Sequence, residues 1–252
     1  MGLSKGCVGK LLKSEMSNML QQILLMPIDC ISCSNEQIII KKESDMIKST
    51  QTYYSKLDPD MSDLAIGFYK IIYPEIGSIL TNNGVLKNCN FAGDTMNSFN
   101  SIANITKGAG RSIKERKNIS QSDWPPYLRN YFHSYHCLAN FWLLPVCIGR
   151  KSKKLNYYDS MDVFLSVLQD EGFKLVFEKH RDYFSWVNDL NDFYKKHFLD
   201  AYSVNSKIPY VEENSEKLVE QAISRIKERA IDIANSEYAN DLYNYFKSLE
   251  LV

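Results

Sequence analysis

Apolar side chains recur at helical spacing along much of the chain. Residues 4–25 place an apolar side chain every three or four positions until Pro27, and Ser215 opens a similar pattern that stays in step to Ala234. Three consecutive isoleucines make Glu36–Lys41 the best candidate for a β-strand. The pattern therefore predicts an all-α or strongly α-dominated fold. We expect a helical bundle with a long C-terminal helix and at most a minor β element near residues 36–41.

Capping and turn residues predict the other element boundaries. Asp58-Pro59 predicts the start of a helix that Pro74 interrupts, and Gly93–Thr95 predicts the cap of another helix. Residues 107–123 are polar and basic, which is typical of a loop. Further helices are predicted over Tyr127–Phe141, over 159–171 with Gly172 as the stop, and over Val176–Leu199.

One domain is expected over residues 1–252, because a chain of this length can bury one sizeable core. Within it we expect N-terminal helices in 1–85, the functional core in 91–200 and the C-terminal helix in 211–252.

Composition and charge indicate a protein of the cell interior. Hydrophobic residues make up 44% and charged residues 24% of the chain, which is ordinary for a soluble protein. No apolar run reaches the roughly 20 residues that span a bilayer, and no signal-peptide pattern is present. We therefore predict a cytoplasmic location and no membrane partner. The excess of Lys over Arg and the many Asn and Ile residues indicate an AT-rich coding sequence of a bacterium, a phage or a mobile element.

Positive charge is concentrated in one stretch, although the formal net charge of the whole chain is zero. Residues 105–155 contain ten basic and two acidic residues, so this fifth of the chain carries +8 and the remainder carries −8. Two basic segments, Arg111–Lys117 and Arg150–Lys154, flank the predicted helix that contains Arg129. This distribution favours a phosphate-bearing ligand, RNA or a nucleotide, but solvated loops that contact acidic surface would give the same count.

Arg129 and His136 are the candidate catalytic residues. Their spacing resembles the Arg-x4–6-His pattern of HEPN ribonucleases. The resemblance implies that Arg129 neutralises phosphate charge and that His136 transfers a proton at the ribose 2′-hydroxyl or holds the scissile phosphate. The alternative is a surface arginine and a core histidine packed beneath Trp142.

Metal, cofactor and redox chemistry are not expected. His133 and His136 lie three residues apart, but a zinc site needs at least three protein ligands. Cys30 and Cys33 have the spacing of a redox pair, yet no thioredoxin-like pattern surrounds them. We interpret these cysteines as structural thiols and predict neither a metal nor a cofactor.

Three segments resemble a loose group of uncharacterised bacterial proteins. They are FAGDTMNSF at Phe91–Phe99, YHCLANFWLLP at Tyr135–Pro145 and YYDSMDVFL at Tyr157–Leu165. The chain departs from the group at Ala139, where Gly is usual, and before Arg150, where an Asn–Arg pair is common. The matching polar positions are Asp94, Thr95, Asn97, Ser98, His136, Asn140, Arg150 and Asp159.

The resemblance implies that these polar side chains line a ligand-binding or catalytic pocket. The alternative is that Asp94 caps a helix and the others are buried anchors that fix loop conformations. The sequence thus supports two hypotheses. The first is a defence- or toxin-type protein that binds or acts on RNA or a nucleotide, and the second is a non-enzymatic immunity- or antitoxin-like protein that binds a cognate protein.

Overall fold

Helices make up most of the residues that the computed structural model describes. The structure describes residues 5–32, 39–51, 58–77, 91–103, 123–145, 161–172, 186–199, 208 and 211–252. The predicted helix-dominated fold class is therefore confirmed. None of the described helices combines the length and the apolar character that a membrane crossing requires.

The helices of the described chain are α1 (Lys5–Leu25), α2 (Asp63–Ile72), α3 (Pro74–Gly77), α4 (Phe99–Ala103), α5 (Pro126–Ser134), α6 (Met161–Val167), α7 (Leu190–Lys196), α8 (Ser215–Ala234) and α9 (Ala239–Ser248). The strands are β1 (Ile28–Ser32), β2 (Ile40–Glu43), β3 (Met46–Gln51), β4 (Phe91–Thr95) and β5 (Phe141–Pro145). Single 3-10 turns span Pro59–Met61, Leu138–Asn140 and Glu212–Asn214, and a π turn over Leu168–Gly172 extends α6.

Two small sheets lie among the helices. In the first sheet β3 is central, with β1 parallel to it on one side and β2 antiparallel on the other. In the second sheet β4 and β5 pair antiparallel, with Asp94 opposite Trp142 and Thr95 opposite Phe141. This second pairing joins the segments around residues 94 and 140, which are far apart in the sequence.

The β content corrects the prediction of at most one minor element near residues 36–41. Residues 33–38 lie outside the described chain, and β2 begins only at Ile40. The strands β1, β4 and β5 are short and pair with distant segments, so their formation depends on the partner strand rather than on local periodicity.

Several predicted helix boundaries are also wrong. Ser62 caps α2, because its hydroxyl accepts a hydrogen bond from the backbone N–H of Ala65, whereas Asp58 only precedes a 3-10 turn. Asp94 is a strand residue and caps no helix. The helix predicted over Tyr127–Phe141 ends at Ser134, since the chain then turns to enter β5.

The predictions of one helix over 211–252 and of a long helix over Val176–Leu199 are also corrected. Ser215 does begin α8, but a separate helix, α9, follows it, so the single helix expected over 211–252 is two helices. The helix predicted over Val176–Leu199 begins at Leu190 within the described residues, where Asp189 accepts a hydrogen bond from the N–H of Asp192 and caps α7. Residues 176–185 lie outside the described chain.

The turn at Pro59–Met61 packs directly against β4, and Gly93 permits the close approach. A Cβ atom at position 93 would lie 2.1 Å from the carbonyl oxygen of Asp60 and 2.8 Å from the hydroxyl oxygen of Tyr69. The Gly93 N–H also donates to the sulfur of Met61 at 3.2 Å. Only a residue without a side chain fits between this turn and the strand.

We expect Gly93→Ala to lower the free energy of unfolding by about 2–3 kcal/mol, because the added methyl group forces two backbone segments apart. Chemical denaturation would measure the change. Gly67→Ala is the matched control: the atoms nearest to its Cβ belong to the phenol end of Tyr245, a side-chain tip rather than backbone, and moving it breaks one hydrogen bond to the Leu64 carbonyl oxygen. An equal cost at both positions would contradict the role assigned to Gly93.

Candidate functional site

A buried carboxyl group lies where the Pro59–Met61 turn meets β4. Asp60 is only 6% exposed, and its Oδ2 accepts a hydrogen bond from the Thr95 hydroxyl at 3.1 Å. Its other oxygen, Oδ1, has no hydrogen-bond partner of good geometry among the described residues. Burial raises the pKa of Asp60 well above its usual range, and the neighbouring carboxylates of Asp58 and Asp94 act in the same direction. Burial thus favours the protonated form of Asp60.

His136 lies just beyond the end of α5, within the range of the Asp58 charge. Its ring is half-buried against Tyr135, with ring centroids 3.8 Å apart, and its carbonyl oxygen accepts a hydrogen bond from the N–H of Ile28 at 2.8 Å. Burial lowers the pKa of His136 to about 4, although the carboxylate of Asp58 opposes the shift. The imidazole is thus neutral at pH 7, with one nitrogen able to accept a proton.

Asp58 is the exposed residue that these groups share. Its charge acts on Asp60, on His136 and on the thiol of Cys30. We refer to Asp58, Asp60, Asp94, Thr95 and His136 as the Asp58 cluster. Burial favours the uncharged form of both Asp60 and His136, and groups whose pKa values are shifted by burial and by a nearby charge are candidates for proton transfer.

Cys30 borders the Asp58 cluster but is no nucleophile. Burial raises the pKa of its thiol to about 12, and the charges of Asp58, Asp29 and Asp60 act in the same direction. A thiol in this environment stays protonated and unreactive. The structural interpretation of Cys30 is thus favoured, and Cys33 lies outside the described residues.

Asn140 is a fully buried anchor that holds the loop after α5 against the end of β4. Its amide group donates to the carbonyl oxygens of Asn97 at 3.0 Å and Tyr135 at 2.7 Å, and its Oδ1 accepts from the N–H of Asn97 at 3.1 Å. The Asn140 side chain therefore pairs with the Asn97 backbone as a neighbouring strand would. All three of these bonds stay within the chain, which favours the anchor interpretation for this residue.

We expect Asn140→Ala to lower the free energy of unfolding by about 2–3 kcal/mol, since it leaves buried backbone groups of Asn97 and Tyr135 without partners. Thermal or chemical unfolding would show the loss. Asn130→Ala, at an exposed position of α5, should change stability by less than about 0.5 kcal/mol. An Asn140→Ala variant as stable as wild type would contradict the anchor interpretation.

Asn97 and Ser98 also bond to nearby backbone. The Oδ1 of Asn97 accepts from the N–H of Met161 at 3.4 Å, at the start of α6, while its buried Nδ2 has no partner among the described residues. The hydroxyl of Ser98 accepts from the N–H of Asn100 at 3.2 Å, at the start of α4. Both residues therefore fix where helices begin.

Arg129 and His136, the two candidate catalytic residues, do not lie on one helix. Arg129 is half-exposed on α5, whereas His136 follows the last residue of that helix, Ser134. Arg150 and Asp159 lie outside the described residues, as do the basic segments Arg111–Lys117 and Arg150–Lys154. The structure thus describes seven of the nine predicted site residues: Asp94, Thr95, Asn97, Ser98, Arg129, His136 and Asn140.

Asp58 and Asp60 are the site residues that the sequence did not indicate. They flank Pro59, and Asp58 was interpreted as a helix cap. The only signal in the sequence is the pair of acidic residues within a Pro-containing turn, which is common on protein surfaces. Their approach to Thr95 and His136 depends on the packing of three distant segments.

Metal ligation gains no support from this arrangement. Within the part of the chain that the structure describes, no group of three His, Cys, Asp or Glu side chains could hold a metal ion. His133 is exposed on α5, and His197 is fully buried with its Nδ1 2.9 Å from the Tyr73 hydroxyl.

Comparisons with family models, with curated proteins and with solved structures find no match to this chain. The chemistry of the Asp58 cluster and the charge distribution of the sequence are therefore the basis for a functional proposal.

Proposed function

We propose that the protein is a bacterial or phage enzyme of defence or toxin type that acts on RNA or a nucleotide, with His136 as the proton-transfer group. The observation that carries the proposal is the state of His136. Its imidazole is half-buried, and burial lowers its pKa to about 4. The negative charge of Asp58 acts on it in the opposite direction. A neutral imidazole accepts a proton, and a nearby carboxylate stabilises the imidazolium that forms.

With RNA as substrate, His136 takes the proton of a ribose 2′-hydroxyl while the 2′-oxygen bonds to the adjacent phosphorus. The bond from phosphorus to the 5′-oxygen of the next nucleotide breaks, and that oxygen takes a proton from water. The products are a 2′,3′-cyclic phosphate and a 5′-hydroxyl. The atoms and electrons of this step balance without a metal ion, an oxidant or a reductant.

The phosphate needs positive charge that the Asp58 cluster does not provide, because Asp58 and Asp94 repel an anion. The sequence carries +8 over residues 105–155, including Arg129 on α5. We propose that this basic stretch holds the phosphate and that the ribose is the part that meets His136. Arg129 keeps the role of a phosphate-neutralising residue in this proposal.

Product analysis tests the proposal. The purified full chain is incubated with total RNA and with labelled oligonucleotides, and the new ends are examined for 2′,3′-cyclic phosphate. We expect these ends with wild type, together with slowed growth of a host that expresses it, and neither effect with His136→Ala. Intact RNA in the presence of folded wild-type protein, or undiminished cleavage by His136→Ala, would refute the proposal.

A second candidate function is a non-enzymatic immunity- or antitoxin-like protein. The observation in its favour is that Thr95, Asn97, Ser98 and Asn140 all bond to other parts of the chain. Affinity capture from the native host distinguishes the two candidates. One stoichiometric protein partner, retained equally by wild type and His136→Ala, would favour the binding protein, and recovered RNA fragments would favour the enzyme.

A further inference from the structure

A cavity of about 650 Å³ lies between the start of α3, helix α7 and the turn that joins α8 to α9. It shares no residue with the Asp58 cluster. Its volume is within the range of roughly 300–1,000 Å³ that is usual for small-molecule sites.

Aromatic side chains form its walls. Tyr73 and Trp186 contact edge to face with centroids 5.2 Å apart, and Phe198 and Tyr238 do so at 6.2 Å. The faces of such rings carry negative electrostatic potential, so they attract cations.

Phe198, which lines the cavity, has a strained backbone conformation. Its φ angle is 58°, in the left-handed region where a bulky side chain is unfavourable and glycine is usual. The conformation ends α7, with the N–H of Leu199 donating to the carbonyl oxygen of Tyr194 at 2.8 Å. Glycine would adopt this backbone conformation without strain, whereas phenylalanine does not. Local backbone strain of this kind is found preferentially at binding sites.

The charged residues of the lining are mostly acidic. Lys196 already shows how the cavity holds an ammonium group: its Nζ lies 5.6 Å from the Trp186 ring centroid and 3.2 Å from a carboxylate oxygen of Glu75. Trp186 also donates its indole N–H to Glu75 at 3.2 Å, which fixes that carboxylate. Glu237 has no basic side chain within salt-bridge distance among the described residues. The charged lining residues are Glu75, Asp192, Lys195, Lys196, Asp232 and Glu237, so the formal charge is −2.

We propose that this cavity binds an organic cation with protonated alkylamine groups, such as a linear polyamine, against the rings of Phe198 and Tyr238 and beside Glu237. The rings and the acidic excess both favour a cation. The same acidic excess disfavours a nucleotide or another phosphate-bearing ligand in this cavity, so the site is separate from the one proposed for RNA.

Isothermal titration of the full chain with spermidine tests the proposal. We expect saturable binding, weakened about threefold to fivefold by Glu237→Gln and by Tyr238→Leu, since each removes one partly exposed interaction with the ammonium group. Matched controls are Glu220→Gln on the exposed face of α8 and Tyr243→Leu on α9, which lie outside the cavity lining and should bind as wild type does.

Melting curves of the variants establish that each one is folded. The proposal is overturned if spermidine does not bind, or if the cavity variants bind it no more weakly than the controls do. It is also overturned if inorganic phosphate binds in the cavity and neither cavity substitution changes that binding. None of these outcomes depends on RNA cleavage, so they are independent of the function proposed for the Asp58 cluster.

Discussion

Replacing Arg229 with Met is expected to lower the free energy of unfolding by about 3–5 kcal/mol. Arg229 lies on α8 and is fully buried. Its guanidinium donates to the carbonyl oxygens of Ala139 at 2.8 Å, Leu138 at 3.4 Å and His197 at 2.8 Å, and to the Tyr73 hydroxyl at 3.2 Å. One side chain thus joins α8 to three other segments, and a methionine of similar length leaves buried oxygens without donors.

The charge of Arg229 also has an electrostatic effect on its surroundings. No carboxylate among the described residues lies within salt-bridge distance of it, so the carbonyl dipoles and the Tyr73 hydroxyl solvate the cation. Burial first, and then the Arg229 charge, lower the pKa of His197 well below its usual value. His197 therefore stays neutral and shares a hydrogen bond with Tyr73 at 2.9 Å. Arg229→Lys should recover only part of the stability, because an ammonium cannot reach all four acceptors.

Arg225→Met is the matched control for this prediction. Arg225 lies one turn earlier on the same helix, and carboxylate oxygens of Glu228 and Asp162 lie 3.4 Å and 4.0 Å from its guanidinium nitrogens. Ion pairs of this type contribute about 1 kcal/mol or less. Denaturant titration of both variants gives the comparison, and similar losses at the two positions would show that Arg229 is no special link between segments.

His136→Ala is expected to lower the rate of RNA cleavage by about 10² to 10⁴, which is the usual contribution of general acid–base catalysis. Single-turnover kinetics with a defined oligonucleotide would measure it. His133→Ala is the control, since His133 is an exposed histidine near the end of α5 and should leave the rate unchanged. A loss of the same size in both variants would point to the helix end rather than to the imidazole of His136.

The pH dependence of the rate identifies the same group independently. The pKa of His136 is lowered to about 4, so the neutral form that accepts a proton persists down to that pH. We expect the acidic limb of the rate profile near pH 4, whereas an ordinary histidine would place it near pH 6.5. An acidic limb at pH 6.5 would contradict the assignment of His136 as the base.

The free energy of unfolding should also depend on pH because of the lowered pKa of His136. The folded state resists protonation of His136 more than the unfolded state does, so the free energy of unfolding falls as the pH drops through the ordinary histidine pKa near 6.5. The fall is complete near pH 4, the lowered pKa, and amounts to about 3 kcal/mol. His136→Gln should unfold with correspondingly less acid sensitivity over this window, as measured by denaturation at several pH values.

The sequence by itself determined the helix-dominated class and the positions of α1 and the start of α8. The reason is that an amphipathic helix is encoded locally, by apolar residues three and four apart and by residues such as Pro27 that stop it. Composition and patterning likewise indicated that no helix would cross a membrane, which agrees with the described helices.

The tertiary structure alone decided the sheets and the site. The strands β4 and β5 are short segments that pair across more than forty residues, and Gly93 lets the Pro59–Met61 turn approach them. That packing brings Asp60 to Thr95, and the turn after α5 brings His136 within reach of the Asp58 charge. The pKa values of Asp60 and His136 follow from burial by distant segments, and no local pattern in the sequence encodes burial of that kind.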